Sequence, residues 1–384
     1  MPFQNTATKL YIDIGTHQYN NKLAQWCNGI LDSKQSNYAE FSLTGKKRVL
    51  ITREPEQIKA ILATKFANFG HGPQWHRLWR PFLGKGIFAT DGDDWHRSRG
   101  LIRPMFVKDR LRNLVIFDNC TRKLLSRLPP SGTTVDIKDV FYRWTLDTTT
   151  EFLLGENTNS LDKKLEEFIE PIIQRAISLP QHELEELSKI DTQYTFLHSI
   201  ARVTKDPKII RDEIMSVLLA GRDTTAATLS WVMYEMAYVP ETWAKLREEI
   251  LNELGPHGMP TYETLKNIQY LKNVLNEVLR LHPAVPINMR QALEDTVIPG
   301  APGQPDVALL KGDTVTINTI GMHARKDLYP PISKHFADPA IFSPERWEHW
   351  IPTPWTYTPF SGGPRICVGQ NFALTEMAFC CESI

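Results

Sequence analysis

Composition places the chain among ordinary globular proteins, since 42% of its 384 residues are hydrophobic and 23% are charged. Its 44 basic and 44 acidic side chains cancel, so the net charge gives no indication of a nucleic-acid partner. The cysteines do not follow the spacing of a disulfide framework, and their odd number suits a reducing compartment. They are Cys27, Cys120, Cys367, Cys380 and Cys381.

Neither a flexible linker nor an internal repeat divides the sequence, which predicts one domain over residues 1–384. The N-terminal residues are polar, and no apolar run approaches the ~20 residues that a transmembrane helix needs. As written, the chain is therefore expected to be soluble or peripheral to a membrane.

The first third of the chain mixes helices with short strands, and the pattern becomes mostly helical from about residue 94. The predicted elements are a helix at 17–31, strands at Tyr38–Leu43 and Lys47–Thr52, and helices at 54–64, 106–128 and 138–155.

A long helix is predicted in the middle of the chain. Asp206 and Pro207 have the pattern of a helix cap followed by proline at the first helical position, and the helical pattern continues to Tyr238 before Pro240. Such a helix has roughly 30 residues and is about 45–50 Å long. Its centre, MSVLLAG, is apolar on every side and is predicted to be buried.

Further helices are predicted at 241–254 and 262–281, followed by a strand- and turn-rich stretch at 284–319. A loop-rich segment, dense in proline and tryptophan, then leads to Cys367. This order of elements predicts a mainly α fold with a smaller β portion.

The segment Phe360–Gly369, FSGGPRICVG, carries the most specific chemical signal. Gly363 and Gly369 have no Cβ, so the backbone can turn tightly and bring N–H donors close to the sulfur of Cys367. Arg365 adds positive charge, and a helix predicted from Gly369 onward adds the positive end of its dipole. These features favour a thiolate over a thiol.

A thiolate of this kind could be a nucleophile, a zinc ligand, a redox sensor or an axial heme ligand. Zinc needs about four ligands, usually with paired spacing, and no CxxC or CxxH stands here. A nucleophile needs a base, and none of the eleven histidines is marked for that role. A buried structural cysteine in a glycine-rich turn is the simplest alternative, and the segment alone leaves these choices open.

A polar sequence, AGRDTT at 220–225, interrupts the apolar centre of the long helix. Glycine and threonine are poor helix formers and a buried Asp223 needs a partner, so this composition favours a functional role. The alternative is a solvent-facing turn, or a hydrogen bond from Thr224 to the carbonyl four residues earlier.

Glu277 and Arg280 lie three residues apart on a predicted helix and share a face. Most pairs of this kind are surface ion pairs that contribute little to stability. Here the neighbouring residues are almost all apolar, which predicts that the pair is buried and needs a further partner. Arg346, in the sequence PERW, is the predicted partner.

Taken in chain order, AGRDTT, ExxR, PERW and FxxGxRxCxG resemble the motifs of the cytochromes P450, over about residues 95 to 374. The resemblance implies a cytochrome P450 fold, incomplete in this chain, and it makes Cys367 the thiolate ligand of a heme b iron. Phe360, Gly363, Arg365 and Gly369 would belong to the ligand loop around that cysteine.

The same resemblance assigns roles to other residues. Thr224 would assist oxygen activation by hydrogen bonding, and Asp223 would relay protons, so these two are the expected catalytic residues. Glu277, Arg280 and Arg346 would form a structural cluster behind the ligand loop. The side chains expected to bind the heme propionates are Trp95, Arg99, Arg290 and Arg365.

The sequence around the motifs is most similar to the fungal branch that hydroxylates n-alkanes and fatty acids. This similarity implies an apolar long-chain substrate, O2, electrons from NADPH-cytochrome P450 reductase and a location at the endoplasmic reticulum membrane. Val285, Pro286, Ile287 and Leu219 would line an apolar channel.

The chain also departs from the family pattern. It is expected to lack the N-terminal membrane anchor of eukaryotic members. Only 64 residues separate Gly155 from Ala220, so the substrate lid around 156–205 is expected to be shortened. Only 17 residues follow Cys367, so the C-terminal β-hairpin is expected to be missing. The alternatives are a truncated heme-binding protein or apo-fragment without catalysis, and an oxygen-independent isomerase or dehydratase, which the pair Asp223–Thr224 disfavours.

Overall fold

The computed structural model describes residues 12–42, 48–107, 112, 114–158, 160, 169–188, 194–256, 258–334 and 336–384. The chain separates into two compact units. The first comprises Met1–His76 and Leu279–Cys367, and the second comprises Arg77–Val278 and Val368–Ile384. A single domain over the whole chain stays a prediction, and each unit is described by itself.

Helices dominate the described residues, which confirms the predicted mainly α fold. In chain order they are α1 (12–19), α2 (Leu23–Ser33), α3 (Pro55–Lys59), α4 (Gly72–Leu83), α5 (Gly92–Ile102), α6 (Val115–Arg127), α7 (Ile137–Leu154), α8 (Ile169–Ser178), α9 (Gln181–Leu187), α10 (Phe196–Val203), α11 (Pro207–Tyr238), α12 (Pro240–Leu254), α13 (Tyr262–Asn267), α14 (Gln269–Leu281), α15 (Thr319–His323), α16 (Arg346–His349) and α17 (Gln370–Ser383).

The strands described in the structure all belong to the first unit. They are β1 (Tyr38–Ser42), β2 (Arg48–Thr52), β3 (Phe69–Gly70), β4 (Ile287–Ala292), β5 (Thr296–Ile298), β6 (Val307–Leu309) and β7 (Thr314–Asn318). Five of them form a mixed sheet in the order β1-β2-β7-β4-β3, in which only β2 and β7 pair in parallel, and β5 and β6 form a separate hairpin.

Buried hydrophobic clusters lie on both faces of this sheet, and one of them contains Leu31 of α2 and Ile51 of β2. The other face carries a second cluster. Leu50 of β2 and Val315 and Ile317 of β7 are buried there, because β-branched and leucine side chains of neighbouring strands pack on one face. Ile58 of α3 and Ile61 of the π-helical turn that continues α3 complete the core. The π turn matters for the site, because the chain segment before Cys367 packs against it.

Helix α11 runs through the second unit. The Asp206 carboxylate caps it by accepting hydrogen bonds from the N–H groups of the first turn, Pro207 occupies the first helical position, and the 32 residues span about 48 Å. The predicted helix is thereby confirmed. Gly221 lets α7 approach closely, since a Cβ at this glycine would lie 2.8 Å from the Thr149 side chain.

Two helices that were predicted to be continuous are each interrupted in the structure. The helix expected at 17–31 is two helices, because Asn21 adopts a left-handed conformation (φ 55°) that ends α1 and that asparagine tolerates better than most residues. The helix expected at 262–281 is interrupted at Ile268, which is extended. The helix expected at 106–128 begins at Val115, and residues 108–111 and 113 of that prediction lie outside the described residues.

Between Gly155 and α11, the described residues form α8, α9 and α10. No helix in the described part of the chain is long and apolar enough to cross a lipid bilayer.

Candidate functional site

The loop before Cys367 is held by backbone hydrogen bonds. The N–H of Cys367 donates to the carbonyl of Phe360 at 3.0 Å, and the N–H of Ile366 donates to the carbonyl of Gly363 at 3.0 Å. Gly363 has φ 65°, and a Cβ there would lie 1.9 Å from the carbonyl oxygen of Leu62. No other amino acid fits at this position without displacing backbone, so Gly363 is required by the turn.

Gly369 does not share this requirement, which corrects the expectation that both glycines permit a tight turn. Its φ is −92°, and a Cβ there would meet only the Phe106 ring at 3.6 Å, an ordinary contact. Gly369 instead occupies the N-cap position of α17. Ser361 is a strained residue of this loop that could not be predicted from the sequence, since it has a left-handed φ of 64° without being glycine.

Cys367 differs from every other cysteine of the chain, all of which are described. It is exposed, whereas the other four are buried. Burial raises the pKa of the Cys27 thiol to about 11 and that of Cys381 to about 12, and it also raises the pKa of Cys120 and of Cys380 well above the ordinary value. These four remain protonated thiols, so Cys367 is the cysteine whose sulfur is accessible to a ligand or substrate.

This exposure decides one of the alternatives for Cys367. A buried structural cysteine is wrong for Cys367. The described residues contain no group of three or more His, Cys, Asp or Glu side chains that could hold a metal ion.

Arg290 and Arg365 lie in the same unit as Cys367. Arg290 projects from β4 and is only 5% exposed, and its Nη1 donates to Asn288 Oδ1 at 2.8 Å and to the carbonyl of Met289 at 2.7 Å. The guanidinium of Arg365 lies 5.9 Å from the centre of the Phe66 ring. Their predicted role as propionate-binding residues stays a prediction.

Trp95 and Arg99 come together in the second unit. Both project from α5, one turn apart, and the Arg99 guanidinium lies 5.6 Å from the centre of the Trp95 ring. Trp95 is buried, and its ring centre lies 4.7 Å from that of the exposed His96. The pair offers an indole N–H and a guanidinium on the same side of the helix, which are suitable donors to a carboxylate.

At the centre of α11, the predicted polar break is present in composition but the helix is continuous. The hydroxyl of Thr224 donates to the carbonyl of Ala220 at 2.7 Å, which is the alternative considered for this residue. The hydroxyl of Thr145 on α7 donates to the carbonyl of Arg222 at 2.9 Å. The carboxylate of Asp223 is 42% exposed and lies 3.7 Å from the Arg222 guanidinium.

Glu376 is a completely buried carboxyl group on α17 that was not among the predicted site residues. The hydroxyl of Thr148 on α7 donates a hydrogen bond to Glu376 Oε1. Burial raises the pKa of Glu376 to about 8, and the hydroxyls of Thr148 and Thr225 act in the opposite direction. Since Thr225 follows Thr224, the Glu376 carboxyl group lies close to the polar sequence at 220–225 of α11. The only signal in the sequence was one acidic residue within the apolar run ALTEMAF.

Glu277, Arg280 and Arg346 are all buried, so the alternative of a surface ion pair is wrong. The guanidinium groups of Arg280 and Arg346 both donate to the carbonyl of Ile341, at 3.5 and 3.1 Å, and lie 5.4 and 5.7 Å from the Tyr329 ring centre. Arg346 also donates to the carbonyls of Ala337 and Asp338. The predicted proximity of the two arginines is present, and their structural role stays a prediction.

The donors of these residues fit a heme. The accessible sulfur of Cys367 is a soft ligand that suits iron. Guanidinium groups of Arg290 and Arg99 and the indole of Trp95 are donors that bind carboxylates, and heme carries carboxylates as propionates.

Comparison with known proteins agrees with this chemistry. The family described as Cytochrome P450 matches residues 40–206 and 206–384. The chain is 43% identical over 391 residues to cytochrome P450 monooxygenase pvhE of Talaromyces variabilis, covering 87% of this chain and 72% of that protein. It is 34% identical to cytochrome P450 52E1 of Candida apicola, covering 88% and 75%, and 32% identical to cytochrome P450 52A3-B of Candida maltosa, covering 96% and 80%. The chain therefore belongs to the cytochrome P450 family and is a monooxygenase of that class, with a thiolate-ligated heme as its cofactor.

Proposed function

We propose that Cys367 is the heme ligand and that the protein hydroxylates long-chain aliphatic substrates, fatty acids or n-alkanes, with electrons from NADPH-cytochrome P450 reductase. The observation that carries the ligand assignment is that Cys367 is accessible, while every other cysteine is buried. Cys367 lies at the end of a loop whose turn requires glycine at position 363. When bound, the heme supplies the activation of O2, and the thiolate favours cleavage of the O–O bond.

The heme propionates are held by Trp95, Arg99, Arg290 and Arg365. The low exposure of Arg290 supports this role, because a charge-assisted hydrogen bond is stronger away from water. Phe360, Gly363 and Gly369 define the ligand loop, and the carbonyl of Phe360 fixes the backbone N–H of Cys367.

Protons for the reaction pass through Asp223 and Thr224. The half-exposed carboxylate of Asp223 can exchange protons with water, and the hydroxyl of Thr224 can turn from the Ala220 carbonyl to a bound ligand by one side-chain rotation. Glu277, Arg280 and Arg346 keep the ligand side of the fold closed. Their burial supports this role, because removing one charge would leave the others without compensation.

The substrate assignment is supported by the apolar residues Val285, Pro286 and Ile287, which are exposed or half-buried in the first unit, and by the half-buried Leu219 in the second. Apolar side chains at accessible positions suit an alkyl chain. The similarity to the fungal alkane- and fatty-acid-hydroxylating branch supports the same substrate, the flavoprotein reductase and a location at the endoplasmic reticulum membrane.

The ligand assignment is tested by the absorbance spectrum of the reduced, CO-bound protein. A thiolate-shifted Soret band is expected for the wild type, and Cys367→Ala is expected to abolish it. The matched control is Cys27→Ala, which removes a buried thiol and is expected to keep the band. A thiolate-shifted band in Cys367→Ala would refute the assignment.

The substrate and reductase assignments need a separate test. Lauric acid is incubated with the heme-loaded protein, NADPH and the reductase, and hydroxylated products are separated by mass spectrometry. Product that requires both NADPH and reductase is expected. Heme binding with no turnover of either lauric acid or a long n-alkane would refute the substrate assignment and leave the ligand assignment intact.

A further inference from the structure

His323 is a buried histidine that none of the family-like motifs contains. It is the last residue of α15 and is 1% exposed, and its ring centre lies 5.2 Å from that of Tyr357. A histidine in such a place is usually a packed core residue, so its hydrogen bonds decide whether it has a further role.

Both ring nitrogens of His323 are bound to backbone groups of distant segments. Nε2 lies 3.0 Å from the N–H of Thr358, and Nδ1 lies 3.1 Å from the carbonyl of Arg280. An N–H only donates and a carbonyl only accepts, so Nε2 must accept and the ring proton must be on Nδ1. The neutral ring therefore bridges α14 and the segment that leads to Cys367.

Burial keeps the ring in this state, since it lowers the pKa of His323 to about 3. A second proton on Nε2 would replace the acceptor by a donor directed at the N–H of Thr358. The bridge is therefore present throughout the neutral pH range.

Thr358 is the first residue in a chain of hydrogen bonds that ends at Cys367. While its N–H donates to His323, its carbonyl accepts from the N–H of Ser361 at 3.1 Å. Ser361 has a left-handed φ of 64° and needs such support. The carbonyl of Phe360 then accepts from the N–H of Cys367.

We propose that His323 is a positioning residue for the heme ligand: by accepting the hydrogen bond of the Thr358 N–H, it determines where the ligand loop begins and so where the sulfur of Cys367 lies. It acts through the backbone of the loop. The inference depends on the proposed assignment of Cys367 as the ligand.

Two substitutions separate the two hydrogen bonds of the ring. In His323→Gln, the longer side chain places Oε1 near the position of Nε2, where it can accept from Thr358. In His323→Asn, the shorter amide lies near the position of Nδ1, where it can donate to Arg280, and the N–H of Thr358 loses its acceptor.

The measurement is the ratio of thiolate-shifted to unshifted Soret absorbance of the reduced, CO-bound protein, at equal heme content. Loss of the acceptor of this half-buried N–H is expected to shift the equilibrium between the thiolate-ligated and unligated states roughly tenfold, so His323→Asn is expected to lower the ratio about tenfold. His323→Gln is expected to stay within about twofold of the wild type, because it restores the acceptor. A wild-type ratio in His323→Asn, or equal losses in both variants, would overturn the proposal.

Folding failure does not obscure the result. If His323→Asn binds no heme, a wild-type ratio in His323→Gln still supports the acceptor role, and failure of both variants to bind heme overturns it. The control is Thr356→Val, which removes a 2.7 Å hydrogen bond to the carbonyl of Thr353 in the same segment. It is expected to lower the unfolding midpoint and leave the ratio unchanged, and a drop equal to that of His323→Asn would overturn a specific role for His323.

Cys367→Ala distinguishes this inference from the proposed function. If that variant keeps a thiolate-shifted band, the ligand assignment itself is wrong. If it loses the band while His323→Asn keeps the wild-type ratio, only the positioning role of His323 is wrong.

Discussion

The buried carboxyl group of Glu376 makes stability depend on pH in a direction that can be stated in advance. Its pKa is about 8 in the folded protein against an ordinary value of 4.5, chiefly because of burial. Between these two values the unfolded chain releases a proton that the folded protein retains. The free energy of unfolding therefore falls as pH rises through this interval, and the contribution is fully present below pH 4.5.

The magnitude follows from 1.36 kcal/mol per pH unit. Over the full interval from 4.5 to 8 it amounts to at most about 5 kcal/mol. Glu376→Gln removes the titration while keeping the size of the side chain and an oxygen that accepts from Thr148. Relative to the wild type, the variant is expected to gain about 3 kcal/mol in unfolding free energy between about pH 5 and about pH 8.

The assay is urea unfolding of both proteins at several pH values in this range, with the difference in unfolding free energy plotted against pH. Other titrating groups, His323 among them, contribute equally to the unfolding free energy of both proteins, so their contributions cancel in the difference between wild type and variant. The matched control is Glu241→Gln, an exposed carboxylate on α12, for which a flat difference is expected. A difference for Glu376→Gln that stays constant within about 0.5 kcal/mol would refute the reasoning, because Glu376 would then not retain its proton on folding.

Three further predictions concern the site. Thr224→Ala is expected to keep the thiolate-shifted CO spectrum and to lower the product formed per NADPH consumed, and an unchanged yield would contradict the proton role. Gly363→Ala is expected to lose at least about 3 kcal/mol of stability in urea unfolding, against about 1 kcal/mol for Gly132→Ala, since both glycines have positive φ but a Cβ at Gly132 meets open space. Arg346→Lys is expected to lose about 2–4 kcal/mol, because one ammonium group cannot serve the carbonyls that the guanidinium binds, and equal unfolding midpoints would show that these bonds do not matter.

Much of the fold could be predicted because its signals are local. Asp206 and Pro207 cap α11, and Pro240 follows its end. The errors occurred where one residue changes the chain direction, at Asn21 and Ile268, since helical periodicity continues on both sides of each break.

The burial of Glu277 and Arg280 could likewise be predicted, because their neighbours on the helix leave no polar surface for them. The exposure of Cys367 could not be predicted from its sequence neighbours, which also suited a buried structural cysteine. Its role as the heme ligand remains a proposal.

The sequence by itself determined the family, the long central helix and the glycine-rich turn before Cys367, because caps, glycines and motif spacing act over a few residues. Only the tertiary structure decided the partners of the buried polar groups. Glu376 meets Thr148 across 228 positions of the chain, and His323 joins backbone groups 35 and 43 positions away. Burial makes each of these polar groups require a partner, but which residue supplies it depends on how distant segments pack.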